Sequence, residues 1–108
     1  MFYELRTYTC SPNKLPVVLK RFETVTLGLF EKHGIRRITP LLTVGIGEDN
    51  HQLKYMLQWE SHEQRDKAWT AFRADPAWQA ALKESEKDGA TVVKIGNEIL
   101  VAAPFSLK

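Results

Sequence analysis

The sequence predicts an α+β domain in the order β, α, β, β, α, β, with an antiparallel sheet and both helices on one of its faces. Three observations carry this expectation. The opening stretch FYELRTYTC alternates along its length like a strand. Two later stretches place apolar residues three and four apart, the period of an amphipathic helix. The segments between and after them are β-rich and bounded by Gly, Pro and Asn.

In Phe2 to Cys10, Glu4, Arg6 and Tyr8 share one strand face while Tyr3, Leu5, Thr7 and Thr9 take the other, since successive side chains in a strand point to opposite faces. The next stretch, SPNKLPVVLKRFETVTLGLFEKHG, has a helical stripe of Leu15, Val18, Leu19, Phe22, Val25, Leu29 and Phe30. Asn13 is the expected N-cap, because it leaves Pro16 in the first turn, where a backbone N–H is unpaired anyway. Gly34 ends the helix by taking the left-handed conformation cheaply. IRRITPLLTVGIGEDN is β-rich, and Pro40 marks an edge or a bulge. A turn over Gly47 to Asn50 leads into HQLKYMLQWE, with Leu53, Tyr55, Leu57 and Trp59 on one face.

Ser61 and Gln64 have capping-box spacing, so a helix starts at His62 with Ala68, Trp69 and Phe72 inward. Asp75 and Pro76 restart a second short helix, anchored by Trp78 and Leu82. From Thr91 a last strand is expected, with a turn or bulge near Gly96 and Asn97. The whole is a ferredoxin-like arrangement in one domain, residues 1 to 108. Tyr8, Tyr55, Leu57 and Trp59 are assigned to the face that the helices leave bare, and a second copy of the chain is the simplest cover for such a patch. On that reading Glu4, Arg6 and Tyr8 line a space enclosed by a homodimer.

Charge and composition exclude several classes. Fifteen Lys and Arg against thirteen Asp and Glu give a net charge of +2, too balanced for a phosphate-binding surface, so no nucleic acid partner is expected. The cluster of Lys32, Arg36 and Arg37 fits a solvated helix end. One cysteine, Cys10, allows no internal disulfide. No histidine pair has metal-ligand spacing, and no metal is expected. There is no run of 18 apolar residues and no basic, then apolar, leader, so no membrane association is expected and the protein reads as cytoplasmic. GIGEDN lacks the third glycine of a nucleotide loop and precedes a strand, which makes it a hairpin turn. The serines and Cys10 stand in no nucleophile signature.

Several of these stretches together resemble the NIPSNAP family: YELRTYT at Tyr3 to Thr9, KLP at Lys14 to Pro16, KHG at Lys32 to Gly34, DPAWQ at Asp75 to Gln79 and PFS at Pro104 to Ser106. The resemblance spans nearly the whole chain in order. It implies a homodimeric α+β barrel with a ferredoxin-like protomer, in a wider group that includes cofactor-free monooxygenases, isomerases and haem-using relatives. The NIPSNAP family itself has no agreed reaction, and some members look like adaptors. Where many members carry a His, Trp, Tyr series on the third strand, this chain has Tyr55, Leu57 and Trp59. That departure removes the histidine, and with it haem ligation at this strand, so no cofactor is expected.

The candidate catalytic residues are Glu4 and Arg6. They stand two apart on one strand face, roughly 7 Å between α-carbons, so both can reach one ligand. Arg6 offers a planar fork of donors to a carboxylate or enolate oxygen, and Glu4 is a general base if burial raises its pKa. A plain structural ion pair fits the same spacing, and the sequence leaves both open. Candidate ligand-binding residues are Tyr8, Tyr55 and Trp59, as aromatic walls or as interface packing, and His33, as an acid or base or as a cation at a helix C-terminus. The expected activity is binding of a small aromatic or enolisable compound, with a cofactor-free oxidoreductase or isomerase as the chemistry. The alternative is a non-catalytic dimeric interaction or adaptor module.

Overall fold

The register between the two central strands decides which face the helices cover. In the computed structural model, which describes residues 1–107, β1 (Phe2–Cys10) lies beside β4 (Gln52–Trp59) and pairs Glu4 with Leu57, Arg6 with Tyr55 and Tyr8 with Leu53. The acid, base and phenol of β1 therefore share a face with the apolar series of β4. Helices with large aromatic stripes bury them against the most apolar surface offered, because the gain scales with the apolar area removed from water. That surface is this one: Leu53, Tyr55, Leu57 and Trp59 are fully buried beneath the helices, and Glu4, Arg6 and Tyr8 are buried with them. The placement of Tyr8, Tyr55, Leu57 and Trp59 on the bare face is thus corrected. The half-buried face carries Tyr3, Leu5, Thr7 and Thr9 from β1 with Lys54, Met56 and Gln58 from β4.

The remaining strands complete an antiparallel sheet of order β2-β4-β1-β5, where β2 is Arg36–Arg37 and β5 is Val92–Leu100. The β-rich segment around Pro40 divides into β2 and a second short piece, β3 (Leu42–Thr43), both paired to β4. Between them Thr39 Oγ1 accepts a hydrogen bond from the Met56 N–H at 3.0 Å, which a strand carbonyl would otherwise take. The sheet order is that of a ferredoxin-like βαββαβ fold, with β2 and β3 together in the place of its second strand.

The first helical run covers α1 (Leu15–Arg21), a π-helical segment (Phe22–Thr26) and α2 (Leu27–Lys32). Asn13 does not cap it: the residue sits at φ +66° in the preceding turn, and Lys14 occupies the N-cap without a side-chain bond. Asparagine tolerates that left-handed conformation better than most residues, so the turn used it instead of the cap. At the other end Gly34 has φ +71°, the Ile35 N–H donates to Phe30 O at 2.8 Å and the Gly34 N–H to Glu31 O at 3.3 Å. These two bonds form a Schellman closure.

The helix α3 (His62–Ala74) starts as its capping residues require, with Gln64 N–H donating to Ser61 Oγ at 3.1 Å. Ala68, Trp69 and Phe72 are buried. Asp75 ends α3 and caps α4 (Pro76–Ser85), accepting from Ala77 N–H at 2.9 Å. β5 runs straight through Gly96 and Asn97, and the irregularity falls at Val93, where the pairing skips from Thr9 with Lys94 to Cys10 with Val92. Gly96 lies over Thr7, and an added Cβ would meet the Thr7 carbonyl oxygen at 3.8 Å.

Candidate functional site

Glu4 sits at the centre of a buried polar cluster. Its Oε1 accepts from Trp59 Nε1 at 3.0 Å, Arg65 Nε at 2.9 Å and Trp69 Nε1 at 3.5 Å; its Oε2 accepts from Arg65 Nη2 at 2.9 Å, Arg6 Nη1 at 3.2 Å and Asn97 Nδ2 at 3.2 Å. A carboxylate has about four lone-pair sites, so this one is saturated. Burial alone would raise its pKa, but the Arg65 and Trp59 hydrogen bonds, the Arg6 charge and Asn97 overcome that and lower it to about 2. A group held so firmly as an anion is a weak base at neutral pH.

Arg6 is the link between this cluster and open space. It donates to Glu4, to Tyr55 Oη from Nε at 3.1 Å and to Tyr8 Oη from Nη2 at 3.5 Å. Its guanidinium lies 4.4 Å from the Trp69 ring centroid and 5.5 Å from that of Tyr8. Three of five N–H donors are thereby used among the described residues, and two are left for a ligand. Tyr8 and Tyr55 share a short hydrogen bond of 2.7 Å. Burial pushes the Tyr55 phenol well above its ordinary value.

Arg6 and Tyr8 belong to the wall of a cavity of about 290 Å³ between the sheet and the helices. Trp69, Phe72 and Trp78 share the wall with them, as do Arg21 and Thr91. The lining mixes the rings of Tyr8, Trp69, Phe72 and Trp78 with three arginines, and its size is near the lower limit for ligand pockets, which suits one small flat polar-ended molecule. The π-helical segment helps to build it. A π insertion widens one turn and displaces the residues around it, and here Arg21 and Thr26, which flank and close the segment, are both buried in the cavity wall.

The predicted site residues divide by position. Arg6 and Tyr8 face the cavity; Glu4, Tyr55 and Trp59 lie behind them, fully buried and outside its lining. His33 is elsewhere, as the C-cap of α2, with Nε2 2.8 Å from Asp75 Oδ2. Lys32 Nζ is at 2.8 Å from the same oxygen, and these two side chains with the Ala77 N–H hold the Asp75 carboxyl well below its usual range. The pair ties the end of α2 to the start of α4. Among the described residues no three His, Cys, Asp or Glu side chains gather as a metal site, and no helix is long and apolar enough to cross a membrane.

Arg21, Arg65 and Arg73 went unnoticed in the sequence although their spacing marks them. Arg65 precedes Trp69 by four residues and Arg73 follows it by four, and Arg21 is three after Val18, so each sits at an inward or flanking phase of its helix.

The chain matches the family model described as NIPSNAP over residues 3–107. It belongs to the NIPSNAP family. Among solved structures it is similar to a NIPSNAP family protein of unknown function from Agrobacterium tumefaciens, with 25% identity and a TM-score of 0.82 over 98% of this chain and 91% of the other. A dimeric ferredoxin-like protein from an uncultured marine organism has 22% identity and a TM-score of 0.65, covering 96% and 95%. A putative antibiotic biosynthesis monooxygenase from Nitrosomonas europaea shares the fold at 7% identity, TM-score 0.61, covering 94% and 98%. No curated protein matches the chain. The NIPSNAP match accords with the βαββαβ order, and the Glu4 and Arg6 cluster lies on the YELRTYT strand.

Proposed function

We propose that this NIPSNAP protein is a homodimer that binds a small aromatic or enolisable molecule in the cavity between sheet and helices. The observation that carries the reading is the cavity itself, about 290 Å³, where indole and phenyl rings stand beside three arginines and Tyr8. In the chemistry that fits, a cofactor-free oxidoreductase or isomerase, Arg6 and the Tyr8 hydroxyl hold the negative charge on an enolate oxygen, and the aromatic walls exclude water. Glu4 keeps Arg6 in place and is not the base. The fold shared with a putative monooxygenase supports this class of chemistry.

Dimerisation is supported by the half-buried sheet face, where Leu5 pairs with Met56, and by Val93 and Val101, which are exposed on and just after β5. A second reading is a binding or adaptor protein without turnover, favoured by the saturation of Glu4 and by the Thr91 N–H and hydroxyl bonds on Glu86, the carboxylate in the cavity wall. Thermal shift of wild type and Arg6→Ala against small aromatic and keto compounds, neutral and acidic, tests the reading. Stabilisation of the wild type that is lost in Arg6→Ala is expected. If no compound shifts the wild type, ligand binding fails as the function. Oxygen consumption or substrate conversion by a compound that binds separates the enzyme from the adaptor.

A further inference from the structure

Arg21 is a buried cation with no direct ion pair: the acid that acts on its charge, Glu86, reaches it only through the Thr91 hydroxyl. The residue is 6% exposed, and no carboxylate among the described residues lies within ion-pair distance of its guanidinium. Taking such a charge out of water costs several kcal/mol unless something of opposite sign compensates it. The partners it has are neutral hydroxyls: Nη1 donates to Ser85 Oγ at 3.0 Å and to Thr91 Oγ1 at 3.1 Å. Its Nε is buried with no acceptor, and no hydrogen bond engages Nη2. The Nε and Nη2 edge of a guanidinium presents two parallel N–H groups, the geometry that meets both oxygens of a carboxylate. Burial also works against this charge, depressing its pKa.

The surroundings agree in sign. Arg6, Arg21 and Arg73 stand in the cavity wall against one acid, Glu86. The Glu86 Oε2 is occupied by the Thr91 N–H and hydroxyl, both at 2.9 Å, and Arg6 already has Glu4. Arg21 therefore meets Glu86 only through Thr91, and its Nε is left without an acceptor. Beside it the Trp78 ring centroid lies 5.2 Å from the guanidinium carbon, and Phe72 and Leu82 continue the apolar wall.

We propose that the ligand of this cavity is a flat, apolar monocarboxylate, one or two rings in size, whose carboxylate pairs with the Nε and Nη2 edge of Arg21 while its rings lie against Trp78 and Phe72. This rests on the reading that the cavity binds a small molecule, and adds its charge and orientation. One carboxylate is specified because one guanidinium edge lacks an acceptor. The carboxylate end then points toward α1, and the other end of the molecule reaches Arg6 and Tyr8.

Titration calorimetry on the purified protein tests this with matched pairs: phenylacetate against phenylacetamide, and naphthoate against naphthamide, with inorganic phosphate alone as a further arm. The acids are expected to bind about tenfold or more tightly than their amides, and phosphate weakly. Arg21→Gln is expected to erase the difference between acid and amide while keeping amide binding. Arg21→Lys, which keeps the charge but loses the paired edge, should fall between. Should Arg21→Gln not fold, the acid-to-amide ratio of the wild type and the lysine variant decide. Equal binding of acid and amide, an unchanged ratio in the variants, or phosphate binding as tightly as the acids overturns the proposal while leaving the cavity a binding site. If neither acids nor amides bind, the cavity reading falls with it.

Discussion

Glu4 holds two arginines, two indoles and an asparagine in one arrangement, and removing its charge leaves the buried Arg6 without an anion and Arg65 with only the exposed Asp66 at 3.7 Å. Breaking a buried pair from one side typically costs about 3–5 kcal/mol. Glu4→Gln is therefore expected to lower the free energy of unfolding by about 3 kcal/mol in denaturant titration, and a change below about 1 kcal/mol would show that the cluster is not a stabilising unit. The carboxyl has a folded pKa of about 2 against an ordinary 4.5, so its contribution is complete above about pH 4.5 and is lost as pH falls from there toward 2. A shift of that size corresponds to at most about 3 kcal/mol. Wild type should lose stability across this window, and Glu4→Gln should lose less over the same range. That Glu4, Arg6 and Tyr8 act together was legible in the strand period, whereas the depth of their burial was not. The alternation gives which side chains share a face; only the register against the apolar series of β4 says that the helices take that face.

At the scale of the element, capping and closure were legible because they are local. Ser61 with Gln64, Asp75 with Pro76, and Gly34 each act through backbone groups within a few residues. Gly34→Ala forces a side chain into φ +71° and should cost about 1 kcal/mol, lowering the melting temperature by roughly 4–8 °C. An unchanged melting temperature would mean that the Schellman turn relaxes freely. The π-helical segment was not legible. Its stripe read as Phe22 and Val25 at ordinary spacing, but the widened turn puts Thr26 in the interior and leaves Val25 half-buried. Deleting the exposed Glu23 from this segment should return the run to ordinary α-helical phase. Circular dichroism is expected to keep its helical signal while affinity for an aromatic ligand drops about tenfold or more. Retained affinity would show that the insertion does not shape the cavity. Asn13 shows the same limit on a smaller scale, since a turn and a cap compete for one residue and only the path of the chain from β1 into α1 decides between them.

For the whole molecule, the two sheet faces have different tasks. One is covered by helices and contains the cavity, and the other, with Leu5 paired to Met56 at its centre, is half-buried and available to a second copy. Light scattering should give about twice the 12.4 kDa chain mass at micromolar concentration, and Leu5→Asp should shift it toward one chain mass without loss of secondary structure. A single-chain mass for the wild type would remove the dimer from the account. The cavity claim stands apart from this, and three tryptophans provide its most direct test. Trp69 and Trp78 are in the cavity wall, while Trp59 is fully buried behind it and outside its lining. In a titration of the protein with phenylacetate or naphthoate, followed by the assigned indole N–H resonances, the signals of Trp69 and Trp78 are expected to move and saturate while that of Trp59 stays nearly still. Three unmoved indole signals at millimolar acid, or movement of Trp59 alone, would contradict the account.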